Sequence, residues 1–329
     1  MTVKTTNALM KHLRDHEIKI SGSTEKRQLK NLGYYHLYKG YRFYKVSDNQ
    51  INFHDFSKIR RTYEYDIEIK NLLYRWTNFL EIAFKNNILQ TTLEFINSSS
   101  LRDFYDNALE NGSAFPLQSQ TDEKKKAISN RLQEIKFLQS KILENYNHSN
   151  PIICHHYDQN NDVPLWGLFE ILTFGDLGNL VRFLKRDLRR EISREIGISL
   201  NNDPHAKVIE QYIFLIKDLR NAIAHDNVVY DGRFIKNSKG RGIRKSCIQH
   251  LETETKITNI NFSCIEDLLI LICYLLKLFK VEKRAIKSLV NRYIDLTNDF
   301  INDINDPLIT KRQIRVDTIA KAKKILVFL

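Results

Sequence analysis

Arg220 and His225 stand five positions apart in "LRNAIAHDN", residues 219–227, at what reads as the closing turn of a helix. A guanidinium is a planar, multidentate cation suited to phosphoryl oxygens, and an imidazole moves protons near neutral pH. Together they suit phosphodiester chemistry, with protons passing to and from ribose oxygens while the arginine holds the charge that develops on phosphorus-bound oxygen. With 21 arginines and ten histidines in 329 residues, chance alone places Arg-x-x-x-x-His about 0.6 times. The surroundings therefore decide. A near match, Arg244 to His250, has one more residue in its spacer and no apolar helical stripe before it, and reads as a decoy.

The element that must position the pair is a helix over 204–224. Its apolar residues Val208, Ile209, Tyr212, Ile213, Ile216, Leu219 and Ile223 recur at three and four, the mark of one buried face. Arg220 projects from the edge of that stripe, where it needs an anionic partner, an internal acid such as Glu81 or Glu170 being the structural choice. At 100° per residue, His225 lies about 140° round the helix from Arg220. One regular helix cannot bring both onto one phosphate. Either His225 turns at a frayed end, with Asp226 and Asn227 as terminators, or two helix ends meet across a two-fold axis; the shared cleft is the more economical arrangement. Asn221 is placed to orient the imidazole or bind phosphate, with Asp218 a weaker choice.

Composition sets the frame. Lys and Arg exceed Asp and Glu by 12, which favours a polyanionic partner such as nucleic acid, with a solvated basic surface the alternative. Hydrophobic residues make up 42% of the chain, enough for a sizeable core, while 11 Gly and 5 Pro leave few turns, so the fold class is mainly α. The four cysteines, Cys154, Cys247, Cys264 and Cys273, are scattered, which suggests neither a zinc site nor disulfides and fits the cytoplasm. No metal or other cofactor is expected. The longest apolar run, 268–276, is too short for a membrane span.

Three regions are expected: an N-terminal helical segment over 1–52, a helical domain over 53–280 with a polar insertion near 97–160, and a basic, peripheral helical tail over 281–329. In the first, a helix over 6–16 precedes one that Ser23 or Thr24 caps and Gly33 closes. Then Tyr34, Tyr35, Tyr38, Tyr41, Phe43 and Tyr44 alternate with His36, Lys39, Arg42 and Lys45, either as a base-stacking surface or as tyrosine packing. Residues 63–93 carry the spacing of a long core helix. Farther on, the chain breaks at "FGDLG" before a basic helix with Arg182, Lys185, Arg186, Arg189 and Arg190, and 231–250 reads as a Gly-punctuated basic loop or hairpin with Arg241, Arg244 and Lys245. These cations are the candidate RNA contacts, with a solvated surface the alternative.

Four ordered segments, "LGYYHLYKGYRF", "YEYDIEIKNLLYRWTNFLEIAFKN", "VPLWGLFEILTFGDLGNL" and "LRNAIAHDN", resemble the AbiD/AbiF-like abortive infection proteins, a branch of the HEPN superfamily. Where relatives often have Leu-Arg after the helical Asp, this chain has Ile69 and Lys70 after Asp66, and 97–160 matches little. The resemblance implies a HEPN-like helical bundle with additional N-terminal and C-terminal helices, usually dimeric. It also implies ribonuclease activity with Arg220 and His225 as catalytic residues, and a role as toxin or in phage defence, with a small RNA or antitoxin as a further partner. A non-catalytic RNA-binding module and a DNA-binding regulator using the tyrosine-rich stretch are the competing expectations.

Overall fold

The computed structural model describes residues 5–45, 48–111, 121–235, 243–314 and 317–329. The fold is all-α: helix makes up 73% of the described residues, which form isolated bridges but no strand. In chain order the helices are α1 (Thr6–Asp15), α2 (Gly22–Leu32), α3 (Phe56–Ile96), α4 (Leu101–Asn107), α5 (Asp122–Asn147), α6 (Pro151–Tyr157), α7 (Leu165–Ile171) and α8 (Phe174–Phe183). They continue with α9 (Arg186–Ile196), α10 (Val208–Ala224), α11 (Lys245–Thr255), α12 (Ile265–Leu278), α13 (Lys283–Ile304), α14 (Pro307–Gln313) and α15 (Thr318–Phe328). Two compact units result. One comprises Met1–Thr77, Asp218–Arg241 and Thr255–Leu329, and the other Asn78–Lys217 and Gly242–Glu254.

In the first unit, Thr5 caps α1 by accepting the Ala8 N–H, and Gly33 closes α2 at φ +76°, a conformation that favours glycine. The second helix starts earlier than its serine and threonine suggest: Ser21 precedes it, and the Ser21 N–H donates to the Glu25 carboxylate at 2.6 Å. The C-terminal helices are not peripheral. On α13, Ile286, Leu289, Val290, Tyr293, Ile294, Leu296, Phe300 and Ile304 form a buried stripe, and α15 packs on both α12 and α13. A buried pair anchors them: Asp267 of α12 accepts the Lys321 ammonium of α15 and the N–H groups of Asn261 and Phe262.

In the second unit, the polar stretch after α3 contains its own packed helix, α5, in contact with α6, α7 and α8. "FGDLG" does not break a helix but begins one. Thr173 and Asp176 form a reciprocal capping box at the start of α8, and a Cβ at Gly178 would lie 3.0 Å from the Phe214 ring, so glycine there permits close packing. The basic segment is accordingly two helices, divided where Leu184 and Lys185 turn extended. The end of the expected 231–250 loop is helical as well, since α11 begins at Lys245.

Candidate functional site at the end of helix α10

Helix α10 buries Ile216 and Leu219 completely and leaves Arg220 and Asn221 half-buried, as expected of residues at the edge of an apolar stripe. Its end is a Schellman motif. The N–H of Asp226 donates to Ile223 O at 3.2 Å and that of Asn227 to Ala222 O at 2.9 Å, with Asp226 in the left-handed region at φ +51°. His225 is the last residue in helical register, its N–H donating to Asn221 O at 3.0 Å. The end is therefore ordered rather than frayed, and the backbone keeps the separation of about 140° between Arg220 and His225.

The His225 side chain is exposed and makes no side-chain hydrogen bond or ion pair among the described residues. Arg220 donates from Nη1 to Asn221 Oδ1 at 3.2 Å, so the Asn221 amide turns towards the guanidinium rather than the imidazole. A fixed cation and an open imidazole, once brought to one phosphate, can bind it and exchange protons with its ester oxygens.

Beneath this end lies a charge network that sequence reasoning does not identify. Asp66 of α3 is fully buried, and its Oδ1 accepts the N–H groups of Val229 at 2.9 Å and Tyr230 at 2.7 Å. Its Oδ2 accepts the Tyr41 hydroxyl at 2.8 Å and lies 2.9 Å from Lys70 Nζ. Lys70 reaches onward to Asp226 Oδ1 at 2.6 Å. Burial lowers the Lys70 pKa, but the two carboxylates outweigh it and hold the ammonium above its ordinary value. Burial and Asp66 together push the Tyr41 hydroxyl far up, which keeps it a donor. A second buried carboxylate, Asp231, accepts the Lys45 N–H at 3.0 Å and pairs with Arg233, whose guanidinium also donates to the Gly40 and Phe43 carbonyls. The sequence signal for Asp66 and Lys70 is their spacing of four on a helix. No such signal marks Asp226, Asp231 or Arg233.

The tyrosine-rich stretch is packing. Tyr34, Tyr38 and Tyr41 are buried, and Tyr41 stacks on Tyr230 with ring centroids 6.1 Å apart; Tyr35 alone of these four is exposed. The base-stacking surface needed by a DNA-binding regulator is not formed by these rings.

Among the RNA-contact candidates, several are committed to the protein itself. Arg182 binds Glu210 at 2.6 Å, and Arg189 donates to the carbonyls of Leu184 at 2.6 Å, Arg182 at 3.2 Å and His205 at 3.3 Å. Arg190 donates to Pro204 O and Lys185 to Asp106 O. Arg186, Arg244 and Lys245 are exposed, with Arg244 Nη2 4.0 Å from Glu210. Arg241 lies outside the described residues. His250, in the decoy match, is buried with both ring nitrogens engaged, Nδ1 with the Tyr212 hydroxyl at 2.8 Å and Nε2 with Ser199 O at 3.1 Å. Among the described residues, no group of three or more His, Cys, Asp or Glu is placed to hold a metal ion, and no helix is long and apolar enough to cross a membrane.

Architecture and residues together describe an all-α protein in which a tyrosine-rich turn and a long helix support an Arg–His helix end. The chain belongs to the Abi-like protein family, whose model matches residues 27–231 and so spans Tyr41, Asp66, Lys70, Arg220, His225 and Asp231. At the coarse level, that membership places it in abortive infection, a form of phage defence. No curated protein and no solved structure matches the chain.

Proposed function

We propose that the protein is a metal-independent endoribonuclease of the HEPN type, acting in phage defence as a homodimer. The observation that carries this reading is the ordered end of α10: a half-buried Arg220 and an open His225, held about 140° apart by intact helical register. With the frayed alternative removed, convergence on one phosphate calls for a second copy of the same helix end. The His225 imidazole of one protomer accepts the proton of the ribose 2′-hydroxyl as its oxygen bonds to phosphorus and, so protonated, donates to the departing 5′-oxygen as the P–O5′ bond breaks, giving a 2′,3′-cyclic phosphate and a 5′-hydroxyl. Arg220 holds the charge gathering on the non-bridging oxygens.

The test is cleavage of single-stranded RNA in excess chelator. Wild-type protein is expected to cut, while Arg220→Ala and His225→Ala each lose about 100-fold or more with the helical fold retained. After subunit exchange between these two inactive proteins, the mixed dimer holds one intact Arg220 and one intact His225 on different chains, and partial activity returns. RNA binding without product in the wild type would replace the enzyme with an RNA-binding module. No recovery despite demonstrated exchange would reject a pair drawn from two chains.

A further inference from the structure

We propose that Asp226 and Lys70 are positioning residues for His225, acting as an ionic latch that fixes the last turn of α10 against α3. This rests on the ribonuclease reading for its catalytic consequence, but the latch itself is a matter of geometry. Four groups converge on Asp66: the Tyr41 hydroxyl, two backbone N–H groups and Lys70. Three of them are neutral, so Lys70 is the cation that balances this buried carboxylate. The Lys70 side chain is itself only 5% exposed, and the acceptor it finds on the outer side is Asp226, whose side chain is 48% exposed. The charges therefore run minus, plus, minus from the core to the surface, ending on the residue directly after His225.

The identity of residue 226 supports the same conclusion. A left-handed residue just past a helix is most easily glycine, with asparagine and aspartate the side chains that tolerate it best. Asp226 adopts that conformation and places its carboxylate on Lys70. Downstream, Asp66 holds the N–H groups of Val229 and Tyr230, so the segment is tied on both sides of its turn to one turn of α3. The imidazole of His225 projects from backbone that these bonds define. A displacement of about 1 Å at a reacting group is enough to cost about 100-fold in rate.

Asp226→Gly is the decisive variant, because glycine accepts the left-handed turn without strain and removes only the carboxylate. It is expected to lower kcat for single-stranded RNA about 100-fold with KM unchanged, and to speed amide hydrogen exchange over residues 225–230 with little effect elsewhere. Asp226→Asn, which keeps an acceptor but no charge, falls between. Lys70→Arg, which preserves the cation and can fork to both carboxylates, retains most activity, whereas Lys70→Met strands Asp66 and serves only as a stability control. Unchanged kcat in Asp226→Gly would overturn the proposal, even if exchange quickens. So would a raised KM at unchanged kcat, which would mean that the pair touches RNA. If the wild type does not cut RNA, the ribonuclease reading fails separately. Exchange in Asp226→Gly then decides the latch, with acceleration confined to 225–230 sustaining it and an unchanged rate rejecting it.

Discussion

At the end of α10, the buried cation is Lys70 and the open side chain is His225; along α8 and α9, the arginines are turned back on carbonyl groups and on Glu210. Both regions are rich in charge. They differ in what surrounds each cation. Arg182, Arg189 and Arg190 lie beside chain breaks at Leu184 and at 203–205, where helix ends and turns leave carbonyl groups needing donors, and a guanidinium satisfies several at once. The closing turn of α10 meets its needs with its own backbone through the Schellman bonds. A side chain there is left for other use. A count of Lys and Arg cannot tell the two cases apart, because the distinction lies in unpaired backbone acceptors and not in the cations.

Removing one member of each network gives the largest expected effect. Asp66→Ala should cost about 3–5 kcal/mol, since it deletes the partner of a buried Lys70 and leaves two N–H groups and the Tyr41 hydroxyl unanswered. Arg189→Met should cost about 1–3 kcal/mol, because its carbonyl partners are deprived of a donor but no charge is stranded. Chemical denaturation gives both values. Equal losses would mean that the Asp66 network is no more than a set of ordinary hydrogen bonds.

Much of this architecture is legible in the sequence. The all-α class follows from scarce Gly and Pro, the α10 stripe from spacing, and the stop at Asp226 from residue types that tolerate left-handed backbone. The misreadings have definite causes. "FGDLG" resembles a breaker because glycine usually is one, yet Thr173 and Asp176 cap a helix there and Gly178 admits Phe214. The tail reads as peripheral from its many charges, while the buried stripe of α13 carries the packing. For the site, Arg220 and His225 are visible as residue types, but the bond between Lys70 and Asp226 joins residues 156 apart in sequence, beyond the reach of any local pattern.

Glu134 of α5 sharpens the contrast at an intermediate scale. It is buried, and no hydrogen-bond partner of its Oε1 is found among the described residues. Arg182 favours its ionised form but is bound to Glu210, so burial, reinforced by Asp176, raises the Glu134 pKa to about 7. The folded state thus holds this proton more tightly than the unfolded chain. Stability from this group is complete below the ordinary carboxyl pKa of about 4.3 and is lost as pH rises through about 7, an effect of roughly 3–4 kcal/mol. Glu134→Gln should flatten the decline between those values when melting is followed against pH. An unchanged profile would mean that Arg182 compensates Glu134 despite its bond to Glu210.

The smallest effect concerns binding, and it asks whether exposed cations behave differently from committed ones. If single-stranded RNA docks near α11, each phosphate-bound cation that is neutralised should reduce the slope of log K against log salt by about 0.7. Arg244→Gln with Lys245→Gln, both exposed positions, should then remove up to about 1.4 from the slope while cleavage at saturating RNA continues. Arg182→Gln with Arg189→Gln should leave the slope unchanged and lower the melting temperature, because these guanidinium groups are held by Glu210 and by carbonyls. The competing surface is α13, where Lys283, Arg284, Lys287 and Arg292 are exposed and form no ion pair among the described residues. Neutralising those four provides the discriminating arm. A slope that falls there but not in the Arg244/Lys245 variant would move the RNA track to α13 and still uphold the rule that unpaired cations bind. A slope that falls on neutralising Arg182 and Arg189 would break that rule, since it would mean that internally bonded arginines release their partners to meet phosphate.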